Sequence, residues 1–198
     1  MKKTILKTVT LTLVSIVALC LITYGCVAGS SPKSLASVWS DLGSYDISVK
    51  YYEKQYEKTQ DFSDLVVLCN KVNEQKDSAL SVTYLKALTE DENFSGFCET
   101  EDGGGGYTFT TYEYYFGKYA VAVYYDGGID SAIAVAENSV SAGYTEHSAF
   151  YSLLGIESLT ETDGKMISST IEKLKSSLSD NTQKAFAERD VKLADSIR

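Results

Sequence analysis

Displaced by 33 residues, this chain lays similar residues on one another, and that recurrence limits the folds open to it more than any other feature. Leu35 falls on Leu68, Ala36 on Cys69, Trp39 on Val72, Ser48 on Ser81 and Tyr52 on Leu85. A third unit puts Tyr119, Ala120, Val123, Ala132 and Ala136 in these roles. A fourth puts Leu154 and Gly155 in its first helix and, after a slightly longer turn, Thr170 and Leu174 in its second. Small residues where two helices cross let them approach, and larger ones fill the gaps between hairpins. Trp39, Leu68, Tyr119 and Leu154 are therefore expected to be buried at equivalent positions between helices.

Local signals divide the units into helices. Pro32 stands at the first turn of a helix over 32–42, and Gly43 lies just past its end. A second helix is expected over 45–59. Asp61 is placed to cap 62–75, and Asp77 to cap 78–89. Further helices are expected over 111–125, 129–142, 146–158, 165–178 and 182–197. Many helices of this length with short connections argue for an all-α stack of hairpins.

The best local patterns are Leu42-Gly43-Ser44-Tyr45-Asp46-Ile47-Ser48-Val49-Lys50-Tyr51-Tyr52-Glu53-Lys54 and Asp126-Gly127-Gly128-Ile129-Asp130-Ser131-Ala132-Ile133-Ala134. With the 33-residue offset, they resemble the tetratricopeptide repeat, a helix–turn–helix unit of 34 residues. No unit carries that repeat's closing proline, and only the third has alanine at the small position of the second helix. The resemblance implies a right-handed α-solenoid of about four repeats over 31–198, ending in an added C-terminal helix. It also implies a scaffold for a protein or peptide partner, with the first helix of each repeat lining a concave face. The matching positions are Asn70, Asn73 and Glu74 in the second unit and Tyr114, Tyr124 and Tyr125 in the third. Asn70 falls where arrays of this kind often hydrogen-bond a ligand backbone.

Ahead of the repeats, Lys2, Lys3 and Lys7 precede Thr8 to Ala28, a run without a charge. As a helix this run is long enough to cross a bilayer core of about 30 Å. The basic flank would keep the N-terminus inside and place the body outside. Ile22-Thr23-Tyr24-Gly25-Cys26 resembles a relaxed lipoprotein signal, although Thr23 and Tyr24 depart from its strict form. Three outcomes stand together: lipidation of Cys26, an uncleaved anchor, and cleavage near Ala28 or Ser30. Residues 1–30 are thus read as a signal peptide or membrane anchor. The body is expected at the outer face of the cell membrane, or secreted.

Residues 90–110 interrupt the period with six acids, no base and then Gly103 to Gly106, a pattern expected of a solvated, flexible insertion. The glycines do not form a phosphate loop. Near Glu99, Glu101 and Asp102 the twelve-position calcium loop is absent. Tyr107 to Tyr125 also supports a second reading, a β-hairpin within an α+β ligand-binding or enzymatic domain. Tyr112, Tyr115, Phe116, Tyr119, Ala120 and Val123 share one helical stripe, which favours helix.

Composition narrows the chemistry. The net charge of −9 becomes −12 once the three leading lysines are set aside, and no basic stripe remains to hold phosphates, so nucleic acid is an unsuitable partner. The single histidine, His147, lies near an expected helix start, and no nucleophile motif accompanies it. No metal-ligand spacing joins the four cysteines, and no catalytic residue, cofactor or metal is expected. An extracytoplasmic setting permits a Cys69–Cys98 disulfide. The apolar surroundings of Cys69 equally fit a small packed residue.

Overall fold

The computed structural model describes residues 2–75, 77–101, 111–141 and 148–177, and among these every regular element is an α-helix. The chain divides into two compact units, Met1–Lys71 and Val72–Arg198.

In the first unit α1 (Lys2–Ser30) leads into α2 (Pro32–Asp41) and α3 (Tyr45–Thr59), and α4 (Phe62–Gln75) runs past its end. Gly43 turns α2 into α3 with φ 74°, a left-handed conformation that a side chain would strain. Gln60 also takes positive φ and closes α3 with its own amide, which donates to the carbonyls of Tyr56 and Glu57 at 3.2 and 3.1 Å. Asp61 accepts from the backbone N–H and the hydroxyl of Ser63, which starts α4 and holds its carboxyl below the ordinary range.

Where α2 crosses α3, Ala36 and Ser48 are both buried, and the Ser48 hydroxyl donates to the Ala36 carbonyl at 2.7 Å. Asp64 of α4 is buried. Its carboxylate accepts from Lys33 Nζ at 2.8 Å, Gln55 Nε2 at 2.9 Å and Thr59 Oγ1 at 2.9 Å, joining α2, α3 and α4. Burial alone would raise this carboxyl, but the three donors outweigh it and hold the group below its usual value. Cys69 is buried, and burial pushes its thiol up to about 12. Cys98 is buried as well, and both are thiols.

The second unit contains α5 (Ser78–Thr89), α6 (Phe94–Glu101), α7 (Thr111–Gly127), α8 (Ile129–Ser141), α9 (Ser148–Leu154) and α10 (Glu161–Ser177). Helix α7 packs against α5, α8 and α9, and α10 packs against α8 and α9. Ala120, Val123, Ala132 and Ala136 bring α7 close to α8. Phe150, Leu153, Ile167 and Ile171 fill the space beyond with larger side chains. Gly128, with φ 81°, occupies the α7–α8 turn as Gly43 does the α2–α3 turn.

Several expectations need correction. The β-hairpin reading of 107–125 fails from residue 111 on, because 111–127 is helix. Its apolar stripe wins: Tyr112, Tyr115, Ala120 and Val123 are buried on one side of α7. The acidic insertion is structured over Phe94–Glu101. Asp91 accepts from the Asn93 N–H at the start of α6, and Phe94 packs on Tyr112, Tyr115 and Phe116 with ring centroids 5.6 to 6.1 Å apart.

In the fourth unit Leu154 is exposed and Leu153 is fully buried in its place. Trp39 and Tyr119 are half-buried, while Leu68 is fully buried as expected. Helix α10 starts at Glu161 rather than at 165, because Thr160 Oγ1 accepts the Asp163 N–H at 3.1 Å. The Gly103–Gly106 run, His147 and the helix expected over 182–197 lie outside the described residues.

Candidate partner-binding groove

Helix α7 presents one face that the core takes up only in part, at Val121. Tyr114, Lys118, Val121 and Tyr125 recur along it at spacings of three and four, so they share a stripe. Tyr114 and Tyr125 are exposed, and the Lys118 ammonium lies 5.5 Å from the centre of the Tyr114 ring.

Two grooves meet on this face. One, of about 570 Å³, is lined by Asn73 of α4, Ser78 and Ser81 of α5, and Lys118, Val121, Ala122 and Tyr125 of α7. The other, of about 300 Å³, is lined by Glu113, Tyr114, Gly117, Lys118 and Val121 of α7 with Ser152 of α9. Lys118 and Val121 belong to both, so the grooves adjoin along α7. Small residues, namely Gly117, Ala122, Ser78 and Ser81, leave room that larger side chains would fill.

The first groove holds an unsatisfied group. Asn73 Nδ2 is buried and has no hydrogen-bond partner among the described residues. A buried amide N–H without an acceptor costs about 1–3 kcal/mol, and a ligand carbonyl would remove that cost. Glu113, almost fully buried, brings a carboxylate to the lining of the second groove.

The residues singled out from the sequence separate here. Asn73, Tyr114 and Tyr125 line this surface. Tyr124 lines neither groove: it is half-buried against the core of the second unit, and its hydroxyl donates to Asp163 Oδ2 at 3.0 Å. Partial burial and then that carboxylate raise its phenol. Asn70 is half-buried in the first unit, and Glu74 is exposed on α4. Cys26 is exposed on α1.

Lys118, Val121 and Ser152 were missed by sequence reasoning. Once 111–127 is helical, the spacing of Lys118 from Tyr114 and Tyr125 puts it on their stripe. Among the described residues no three His, Cys, Asp or Glu side chains gather as metal ligands would. Neither a scan of protein-family models nor a search of curated proteins finds a match to the chain.

Proposed function

We propose that the chain is a membrane-tethered scaffold of tetratricopeptide-like hairpins, held at the outer face of a cell membrane, whose α7 groove binds an extended segment of a protein or peptide partner. The unpartnered Asn73 amide nitrogen, in a groove lined by the exposed Tyr125 with Tyr114 on the adjoining one, carries the reading. An extended peptide fits that pairing, since its backbone supplies carbonyl acceptors at regular intervals and its side chains supply apolar area for Tyr114 and Tyr125.

Hairpin pairing supports the repeat architecture: α2 packs on α3 in one unit, and α7 on α8 and α9 on α10 in the other. The tether is supported by the basic start and the charge-free run that follows. Among the described residues no single helix is long and apolar enough to cross a membrane, though Leu13–Val27 and Pro32–Asp41 together meet that length and composition across a bend of 117°. Tyr24 supports retention of α1, because its hydroxyl meets that of Tyr51 and accepts from Trp39 Nε1 at 3.3 Å.

The test is selection of peptides on the full chain from a displayed library, followed by affinity measurement against variants. Asn73→Ala and Tyr125→Ala should each weaken the selected peptides about tenfold or more, with melting no lower than that of the unchanged chain. Undiminished binding in both variants would refute the groove.

A further inference from the structure

The tip of the α2–α3 hairpin leaves Val38, Leu42, Tyr45 and Ile47 exposed on either side of Gly43, with Leu42 67% exposed. The same unit carries a second apolar surface. Leu13, Val14, Ile16, Val17, Leu19 and Ile22 of α1 are each more than half exposed. Taken together, positions 13, 14, 16, 17, 19 and 22 lie around the helix rather than along one stripe, so a protein docked on one side would leave the others in water. Lipid covers such a helix from every direction.

The join between these surfaces fixes their relation. The axes of Leu13–Val27 and Pro32–Asp41 turn through 117°, so α2 runs mainly across α1 and partly back towards its start. At 1.5 Å per residue α2 is about 15 Å long, which returns its far end about 7 Å towards the apolar part of α1, roughly to the level of Tyr24. At that level Tyr24, Trp39 and Tyr51 gather: the Tyr24 and Tyr51 rings meet edge to face at 6.3 Å, and Trp39 donates to the Tyr24 hydroxyl. Lys58 Nζ donates to the Gly29 carbonyl near the end of α1, at 3.3 Å. Aromatic rings with polar tips and a nearby cation are the side chains that settle at lipid headgroup depth. Asp41 and Asp46 are exposed beside the tip and limit it to that depth.

We propose that the α2–α3 tip seats in the interfacial layer of the bilayer that holds α1, so that the first unit lies against the lipid surface. This rests on the tether reading above.

Trp39 is the only tryptophan in the chain, which makes its fluorescence a depth gauge. The full chain is reconstituted in phosphatidylcholine vesicles carrying bromine near the headgroup or near the acyl-chain ends. Headgroup-proximal bromine should quench Trp39 more strongly than deep bromine. The double variant Leu42→Glu, Ile47→Glu should lose that quenching while still floating with vesicles and keeping its helical circular dichroism. A chain that floats with Trp39 unquenched overturns the proposal and leaves the tether standing. Equal quenching in the double variant also overturns it, because α1 alone would then set the depth. A chain that does not float overturns both readings. Crosslinked dimers that disappear in the double variant would assign the tip to a second copy instead.

Discussion

The two units differ in what joins their helices. Met1–Lys71 has an apolar core that includes Leu35, Val49, Leu65 and Leu68, and adds to it polar bonds between helices, with Asp64 joining α2, α3 and α4 and Ser48 bonded to the Ala36 carbonyl. Val72–Arg198 relies on close apolar packing of Ala120, Ala132, Ala136, Phe150, Leu153 and Ile167, each with essentially no exposure. Polar bonds of this kind depend on protonation state and apolar packing depends on volume. The units should therefore fail under different perturbations.

The largest effect is expected in the second unit. Leu153→Ala should cost about 2–5 kcal/mol, the range for emptying a packed site, and Phe150→Ala about 3–5. Leu154→Ala, one residue further on and exposed, should stay within about 0.5 kcal/mol. Denaturant melts of the three variants check the contrast, and equal costs at 153 and 154 would break it.

An intermediate effect is expected in the first unit. Asp64→Asn removes the charge that three donors share and should cost about 1–3 kcal/mol. The same carboxylate sets a pH dependence. Its folded value lies below the unfolded one, near 3.9, so its stabilisation is complete above about pH 4 and is lost as pH falls through the folded value. Trp39 fluorescence reports the first unit, so acid titration should move it before hydrogen exchange changes in α7 and α8. Loss of this difference in Asp64→Asn would tie it to that one group.

A smaller effect is expected at the α2–α3 crossing, from Ser48→Ala. It should cost about 1 kcal/mol, since the small side chain still fits the crossing and only the bond to Ala36 is lost.

How much of this was legible in the sequence follows from the reach of each signal. Helices 45–59, 62–75 and 78–89 have the bounds that caps and periodicity predict, because Asp61, Asp77 and the turn at Gly43 act within a few residues. The fourth unit was misread by one position, since α9 has only seven residues and buries Leu153 rather than Leu154. Helix α6 was hidden because its acids dominate the composition, while the burial of Phe94 depends on aromatic partners some twenty residues away. In the groove, Tyr114 and Tyr125 followed from the repeat register. The same register put Tyr124 beside them, but it lines neither groove, because its partner Asp163 comes from α10, which no local pattern pairs with it. Lys118 needed the strand-or-helix choice to be resolved first.

The central claim, that the α7 face receives an extended peptide, is tested most directly by photocrosslinking. A benzoylphenylalanine is placed at Tyr125 in the groove, or at Ala134, which is exposed on α8, and a library-selected peptide is added to the full chain. The expected result is covalent capture from position 125, blocked by excess unlabelled peptide, with none from position 134. Capture from 134 alone, or equally from both positions, would contradict the assignment of the α7 groove as the binding face.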